Sequence, residues 1–247
     1  MCSICGERVL SSYAACDADG LLRCPACRRI QHYYERAVAF GSYEGTLREL
    51  IHLLKYSGVR PAARVLGRLL AQSVATIEPE FTQESVLVIP VPLYKGKRRQ
   101  RGFNQVELIA RAALRFRRNG KLELAPDCLR RVRDTRSQIG LTSHQRRENL
   151  RGAFVVNRSP EVTGREVLLV DDVYTTGTTA SECSRVLRRA GASRVWVATV
   201  ARTLKLASKY QELQQQEVSE FQGLNVSKIC RDCLPTLEPR DFETLKL

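Results

Sequence analysis

The chain has 247 residues, 43% of them hydrophobic, and a formal net charge of +14 from 40 Lys and Arg against 26 Asp and Glu. That length buries one sizeable core with a small appended module, or two domains at most. No stretch approaches the roughly 18 apolar residues of a membrane span, and the N-terminus is polar and Cys-rich rather than signal-like, so a helical membrane protein is excluded and a cytoplasmic one expected.

Three parts follow one another: a Cys-rich head (1–30), an α/β body (36–203) and a C-terminal extension (204–247). The head reads Cys2-x2-Cys5, eighteen further residues, then Cys24-x2-Cys27. Each CxxC puts two sulfurs on one tight turn, and two such turns complete a tetrahedron, the pattern of a four-cysteine zinc ribbon or knuckle. Gly6 and Pro25 suit the two turns. About 30 residues have too little core to fold alone, so a structural zinc ion would supply the stability. Free thiols on loops are the competing reading; Cys16 is the spare thiol, and the single pair Cys230-x2-Cys233 reads as without a role, with a second metal site as its alternative.

In the body, Ala37–Tyr43 predicts a short strand, and Leu47, Leu50, Ile51 and Leu54 predict a helix over Tyr43–Tyr56. Gly58 and Pro61 interrupt before a second helix carrying Val65, Leu66, Leu69 and Leu70. Val86–Val91 is a continuous apolar run, as in a strand covered on both faces. Helix is expected over Phe103–Phe116, with both aromatics in the core, and strand over Ala153–Val156 and Val167–Val170. Thr178–Ala190 reads as a helix stopped by Gly191, Val195–Val200 as the next strand, and 204–220 as a Gln-rich helix. Apolar strands alternating with amphipathic helices indicate a mostly parallel sheet.

Charge is concentrated. Residues 95–151 hold seventeen Lys and Arg against five Asp and Glu, a field that attracts pyrophosphate or a nucleic-acid backbone. A composition bias toward Arg is the bland alternative. Pro90-Val91-Pro92 forces a rigid turn at the carboxyl end of a buried strand, with Lys95, Lys97, Arg98, Arg99 and Arg101 just beyond. Residues 132–148 are poor in apolar side chains and carry Arg133, Arg136, Arg146 and Arg147, which suits a mobile lid. Solvated loops account for the same Arg residues equally well. His52 and His144 have no ligand-like partners in sequence and read as packing or surface residues.

The sharpest signal spans residues 167–179, Val-Leu-Leu-Val-Asp-Asp-Val-Tyr-Thr-Thr-Gly-Thr-Thr. Ligands of parallel sheets sit outside the carboxyl ends of the strands, where Asp171 and Asp172 fall. Adjacent carboxylates can accept hydrogen bonds from a vicinal diol and can help hold Mg²⁺ through water. Thr175, Thr176, Gly177, Thr178 and Thr179 form a small-residue loop opening onto a helix, where amides and hydroxyls can cradle a phosphate. One segment thus grips a ribose and its 5′-phosphate. A strand ending in an acidic turn with a Thr N-cap is the plain alternative.

That segment looks like the loop of type I phosphoribosyltransferases that binds 5-phosphoribosyl-1-pyrophosphate (PRPP). Further blocks are Tyr43-Glu44-Gly45 with Arg48, Leu50, Lys55 and Tyr56, then Pro90-Val91-Pro92 with Arg101-Gly102-Phe103-Asn104-Gln105. Arg131, Thr135, Gln138, Leu141, Arg146, Asn149 and Phe154 make another, and Ala190-Gly191-Ala192 and Ala201-Arg202 close the body. With the four-cysteine head in front, the arrangement resembles the ComF/GntX family over roughly residues 1–202. The resemblance implies a Rossmann-like type I phosphoribosyltransferase fold with an N-terminal four-cysteine zinc module, and Mg²⁺-dependent PRPP binding. It gives Asp171 and Asp172 the ribose hydroxyls and the catalytic position, residues 175–179 the 5′-phosphate, and Pro92, Arg101, Arg131, Gln138 and Arg146 the pyrophosphate and lid. The family's association with natural transformation adds single-stranded DNA and competence machinery as partners. The alternative is an active transferase in nucleotide metabolism, in which a nucleobase or related nitrogen nucleophile displaces pyrophosphate. Purine-salvage members typically carry an Asp base where this chain has Thr175, so its loop is closer to the orotate type. Relatives usually have apolar residues ahead of the first Cys pair, so a start upstream of Met1 is expected.

Overall fold

Alternating apolar residues on long strands give this chain a sheet buried on both faces. A computed structural model describes residues 1–9, 15–16, 20–117, 120–135, 140–157 and 159–204. The expected helix over 204–220, the Cys230 and Cys233 pair, Arg136 and Gln138 lie outside the described residues.

The head holds an antiparallel pair, β1 (Ala15–Cys16) with β2 (Leu22–Arg23), and a short helix α1 (Pro25–Arg29). The body follows with β3 (Ala37–Ser42), α2 (Gly45–Tyr56), α3 (Ala62–Ala75), β4 (Val86–Pro90), α4 (Lys95–Arg101), α5 (Gln105–Phe116) and β5 (Leu122–Leu124). Next come β6 (Leu129–Arg131), α6 (Ser143–Leu150), β7 (Phe154–Val156), α7 (Ser159–Val162), β8 (Glu166–Tyr174), α8 (Thr178–Arg189) and β9 (Arg194–Arg202).

Five strands pair in the order β3-β9-β8-β4-β5, all parallel. Val86, Val88, Leu168, Val170, Trp196 and Ala198 face one core cluster with α2, α3 and α5, while Leu87, Ile89, Val167, Leu169, Val195 and Val197 face the other with α8 and the head. This two-residue alternation is the strand period. From β4 the chain passes through α5 to the β5 edge; from β8 it passes through α8 toward β9. The neighbours β4 and β8 therefore flank the point where the winding reverses, the usual place for a ligand in such sheets.

Several local expectations shift. β8 continues four residues beyond Val170 because β9 stays paired with it as far as Tyr174 and Arg202. β7 is not in the main sheet but pairs antiparallel with β6 as a separate ribbon. The basic stretch after Pro92 is a helix, and the segment expected as a lid ends in one, α6. Phe116 is 45% exposed rather than in the core, whereas Phe103 packs against the core with Arg60 over its ring. No helix of the described residues is long and apolar enough to cross a membrane.

Candidate functional site at the carboxyl ends of β4 and β8

Asp171 and Asp172 are neighbours in sequence, yet their surroundings differ. Asp172 is buried and accepts hydrogen bonds from Lys55 Nζ and Gln105 Nε2, each at 2.9 Å. Burial opposes its charge, but the Lys55 ammonium and these hydrogen bonds hold its carboxyl below the usual range. Burial likewise opposes the charge of Lys55, and Asp172 overcomes that effect and raises the ammonium's pKa. Arg101 donates to Gln105, so a polar line runs from α4 through α5 to β8 and α2. Asp171 Oδ1 accepts a local hydrogen bond from the Asp172 amide at 2.9 Å. Burial first, and the adjacent Asp172 charge second, push its carboxyl up to about 7. One carboxylate is clamped and ionised; the other is poised near neutrality.

Beyond these acids Tyr174 ends the strand, and Thr178 opens α8 a few residues later. Gly177 has φ +75°, and a Cβ there would lie 2.3 Å from the Tyr174 hydroxyl, so glycine is required by backbone and by space. The Gly177 carbonyl accepts the Ser181 amide at 2.8 Å and starts the helix. Thr176 and Thr178 hydroxyls are 2.8 Å apart across the loop. The N-terminus of a twelve-residue helix, with its positive dipole end, thus follows directly on two hydroxyls. Arg146 donates to the Thr175 hydroxyl at 3.3 Å. It is placed there by α6, whose start is fixed by a capping box between Thr142 and Gln145.

Pro92 and Arg131 line a cleft of about 480 Å³ with Tyr94, Lys95, Arg98 and Arg130. Next to Pro92 the chain is tied down: the Val91 amide donates to the Val170 carbonyl, and Asn104 Nδ2 donates to the Val91 carbonyl. Arg131 donates to Thr135 and lies 5.5 Å over the Phe154 ring. Arg101 instead joins the Asp172 network and stacks 5.8 Å over Tyr56. The expected residues therefore fall into three groups: Asp171, Asp172 and Arg101; the loop with Arg146; and Pro92 with Arg131. Lys55 and Gln105 belong to the first group although sequence reasoning gave them no role. Both stood in the family blocks, which was the available signal.

The four head thiols are buried, and their sulfurs lie within 4.8 Å of one another. Cys5 and Cys24 sulfurs are 3.8 Å apart, close to the roughly 3.8 Å edge of a tetrahedron of Zn–S bonds about 2.3 Å long. The Gly6 amide donates to the Cys2 carbonyl and the Arg28 amide to that of Cys24, closing the two turns. Four soft donors at this spacing suit a tetrahedral zinc ion. The head is tied to the loop: Tyr34 and Tyr174 hydroxyls hydrogen-bond at 2.8 Å, both rings buried, and Arg202 lies 5.4 Å over Tyr174 while donating to Glu7 at 2.7 Å and to the Cys5 carbonyl.

A parallel sheet with a Gly-containing phosphate-type loop at its switch point defines a type I phosphoribosyltransferase fold, and residues 112–223 match the phosphoribosyl transferase domain family. The chain is 33% identical over 211 residues to the DNA utilization protein YhgH of Escherichia coli O157:H7, covering 83% of this chain and 91% of that protein. It is 32% identical over 212 residues to competence protein F of Haemophilus influenzae (82% and 90% covered) and 22% over 191 to competence protein ComFC of Bacillus subtilis (77% and 72%). The chain belongs to this family, the phosphoribosyltransferase-like ComF proteins.

Proposed function

We propose that the chain binds PRPP at the carboxyl ends of β4 and β8 and serves in the handling of DNA entering the cell. The observation that carries the PRPP half is the loop: Gly177 packs on Tyr174, the Thr176 and Thr178 hydroxyls meet at the start of α8, and Arg146 reaches Thr175, a few residues beyond Asp171. Asp172 is already taken up by Lys55 and Gln105, which leaves Asp171 to accept from the ribose hydroxyls. Asp171 is the carboxylate that would hold Mg²⁺ through water, and the ion would neutralise charge on the pyrophosphate. The pyrophosphate itself suits the basic cleft of Pro92, Lys95, Arg98 and Arg131. The DNA half rests on the relatives' names and on α4, whose Lys97 and Arg99 stand exposed, with single-stranded DNA and competence proteins as partners. Calorimetry with PRPP and Mg²⁺ tests the site: wild type should bind, and D171N/D172N should lose most of the affinity while keeping its circular dichroism. Unchanged binding in the double variant removes both carboxylates from the site.

A second reading, an active transferase, is favoured by Asp171, since a carboxyl near 7 can exchange a proton at physiological pH. A nitrogen nucleophile would form the bond to C1′ as the C1′–O bond to pyrophosphate breaks. Pyrophosphate release from PRPP across a panel of nucleobases, with and without single-stranded DNA, separates the two readings. Turnover with any base makes the protein an enzyme.

A further inference from the structure

Beside the phosphate loop a second cleft of about 410 Å³ opens between residues 30–33 and α6. Thr176, Gly177 and Thr178 line it, so it shares the loop with the site already described; His32, Tyr33, Arg147 and Arg151 are also in its lining. Its acidic groups are spoken for. Glu182 accepts from Arg185 at 2.7 and 2.8 Å and from the Gly152 amide at 2.8 Å, and Glu148 faces His144 at 3.6 Å. The guanidinium groups of Arg147 and Arg151 have no partner among the described residues. Both ring nitrogens of His32 are shielded from solvent and are likewise without a hydrogen-bond partner there.

A single phosphate fills little of this space, because clefts of about 300 Å³ and more hold whole ligands. Two uncompensated guanidinium groups next to a phosphate loop match a second anionic group one linkage further on. Tyr33, 38% exposed, offers an aromatic face to whatever that group carries. We infer that the loop accepts a bridging phosphate: a 5-phosphoribosyl group whose 5′-phosphate is joined to the phosphate of a nucleoside, the 5′-diphosphate linkage found in ADP-ribose. The second phosphate lies on Arg147 and Arg151, and the nucleoside lies against Tyr33 and His32. This inference rests on the assignment of residues 175–179 to the 5′-phosphate.

Calorimetry on the full chain with ribose 5-phosphate, ADP and ADP-ribose, in wild type and in R147A/R151A, tests it. ADP-ribose should bind about tenfold more tightly than ribose 5-phosphate, the worth of one charge-assisted hydrogen bond. The double variant should erase that advantage and leave ribose 5-phosphate affinity unchanged, which also reports an intact fold. Equal affinities in wild type, or a double variant that weakens both ligands by the same factor, overturns the bridging site. ADP binding as tightly as ADP-ribose overturns it too, since the loop would then contribute nothing. If neither ribose ligand binds, the 5′-phosphate assignment itself has failed.

Discussion

A methyl group at position 177 would meet the Tyr174 hydroxyl on backbone already in the left-handed region. Gly177→Ala should therefore destabilise the protein by about 2 kcal/mol or more, from the dihedral penalty and overpacking together. Urea unfolding measures it, and PRPP affinity should fall with it. Asp171 makes a different prediction. Its carboxyl titrates at about 7 in the folded chain against an ordinary 3.8, so the native state holds that proton more tightly than the unfolded one. Its contribution is fully present below about pH 4 and is lost as pH rises to about 7. Asp172 is shifted the other way and titrates below that window. Asp171→Asn should flatten the fall in melting temperature between about pH 4 and about pH 7 in ligand-free protein, melting above wild type at the upper end. A variant that keeps the wild-type slope shows that another group is responsible. The motif made both acids legible in the sequence. Their division of labour was not, because Lys55 and Gln105 reach Asp172 across more than a hundred and nearly seventy positions respectively, and only folding makes that contact.

Among the elements, the long apolar strands and amphipathic helices were readable because burial imposes a period on them. Helix α4 was not: Lys-Gly-Lys-Arg-Arg-Gln-Arg contains no apolar side chain, so there was no period to find. Its visible signal was the stop, Gly102 at φ +79°. Ribbon strands β6 and β7 are three residues each, too short for alternation to separate an antiparallel pair from the main sheet. In α4, Arg98 lines the Pro92 cleft while Lys97 and Arg99 do not. Lys97→Ala with Arg99→Ala should therefore weaken single-stranded DNA binding and flatten its log–log salt dependence by about 1.4, two phosphate contacts' worth, with PRPP affinity unchanged. Loss of PRPP binding with DNA binding intact would assign the helix to the nucleotide site instead.

At the scale of the molecule, the four thiols, Tyr34, Tyr174 and Gly177 form one continuous stack from head to loop. Purified protein should carry one zinc ion on Cys2, Cys5, Cys24 and Cys27, and a Cys24→Ser variant should carry none. Because Tyr34 and Tyr174 share one core cluster with the thiols and hydrogen-bond each other, stripping the ion should loosen the loop and weaken PRPP binding, and PRPP should slow zinc loss to a chelator by the same linkage. Metal analysis finding no zinc, or release kinetics indifferent to PRPP, contradicts this. The sequence carried the Cys spacing but no sign that the head shares a core with the body, since the contacts join Cys5 and Glu7 to Arg202, and Tyr34 to Tyr174.

That closure orders events in time. Glu7 and Arg202 form a buried pair, and Arg202 also holds the Cys5 carbonyl, so the first turn of the head is finished by the last residue of β9. At about 5–20 residues per second, the head thiols leave synthesis roughly 10–35 s before Arg202 is made. Through that interval they are exposed nucleophiles, and ion capture then competes with oxidation. A ribosome that stops just short of Arg202 releases a chain whose defect lies at its opposite end.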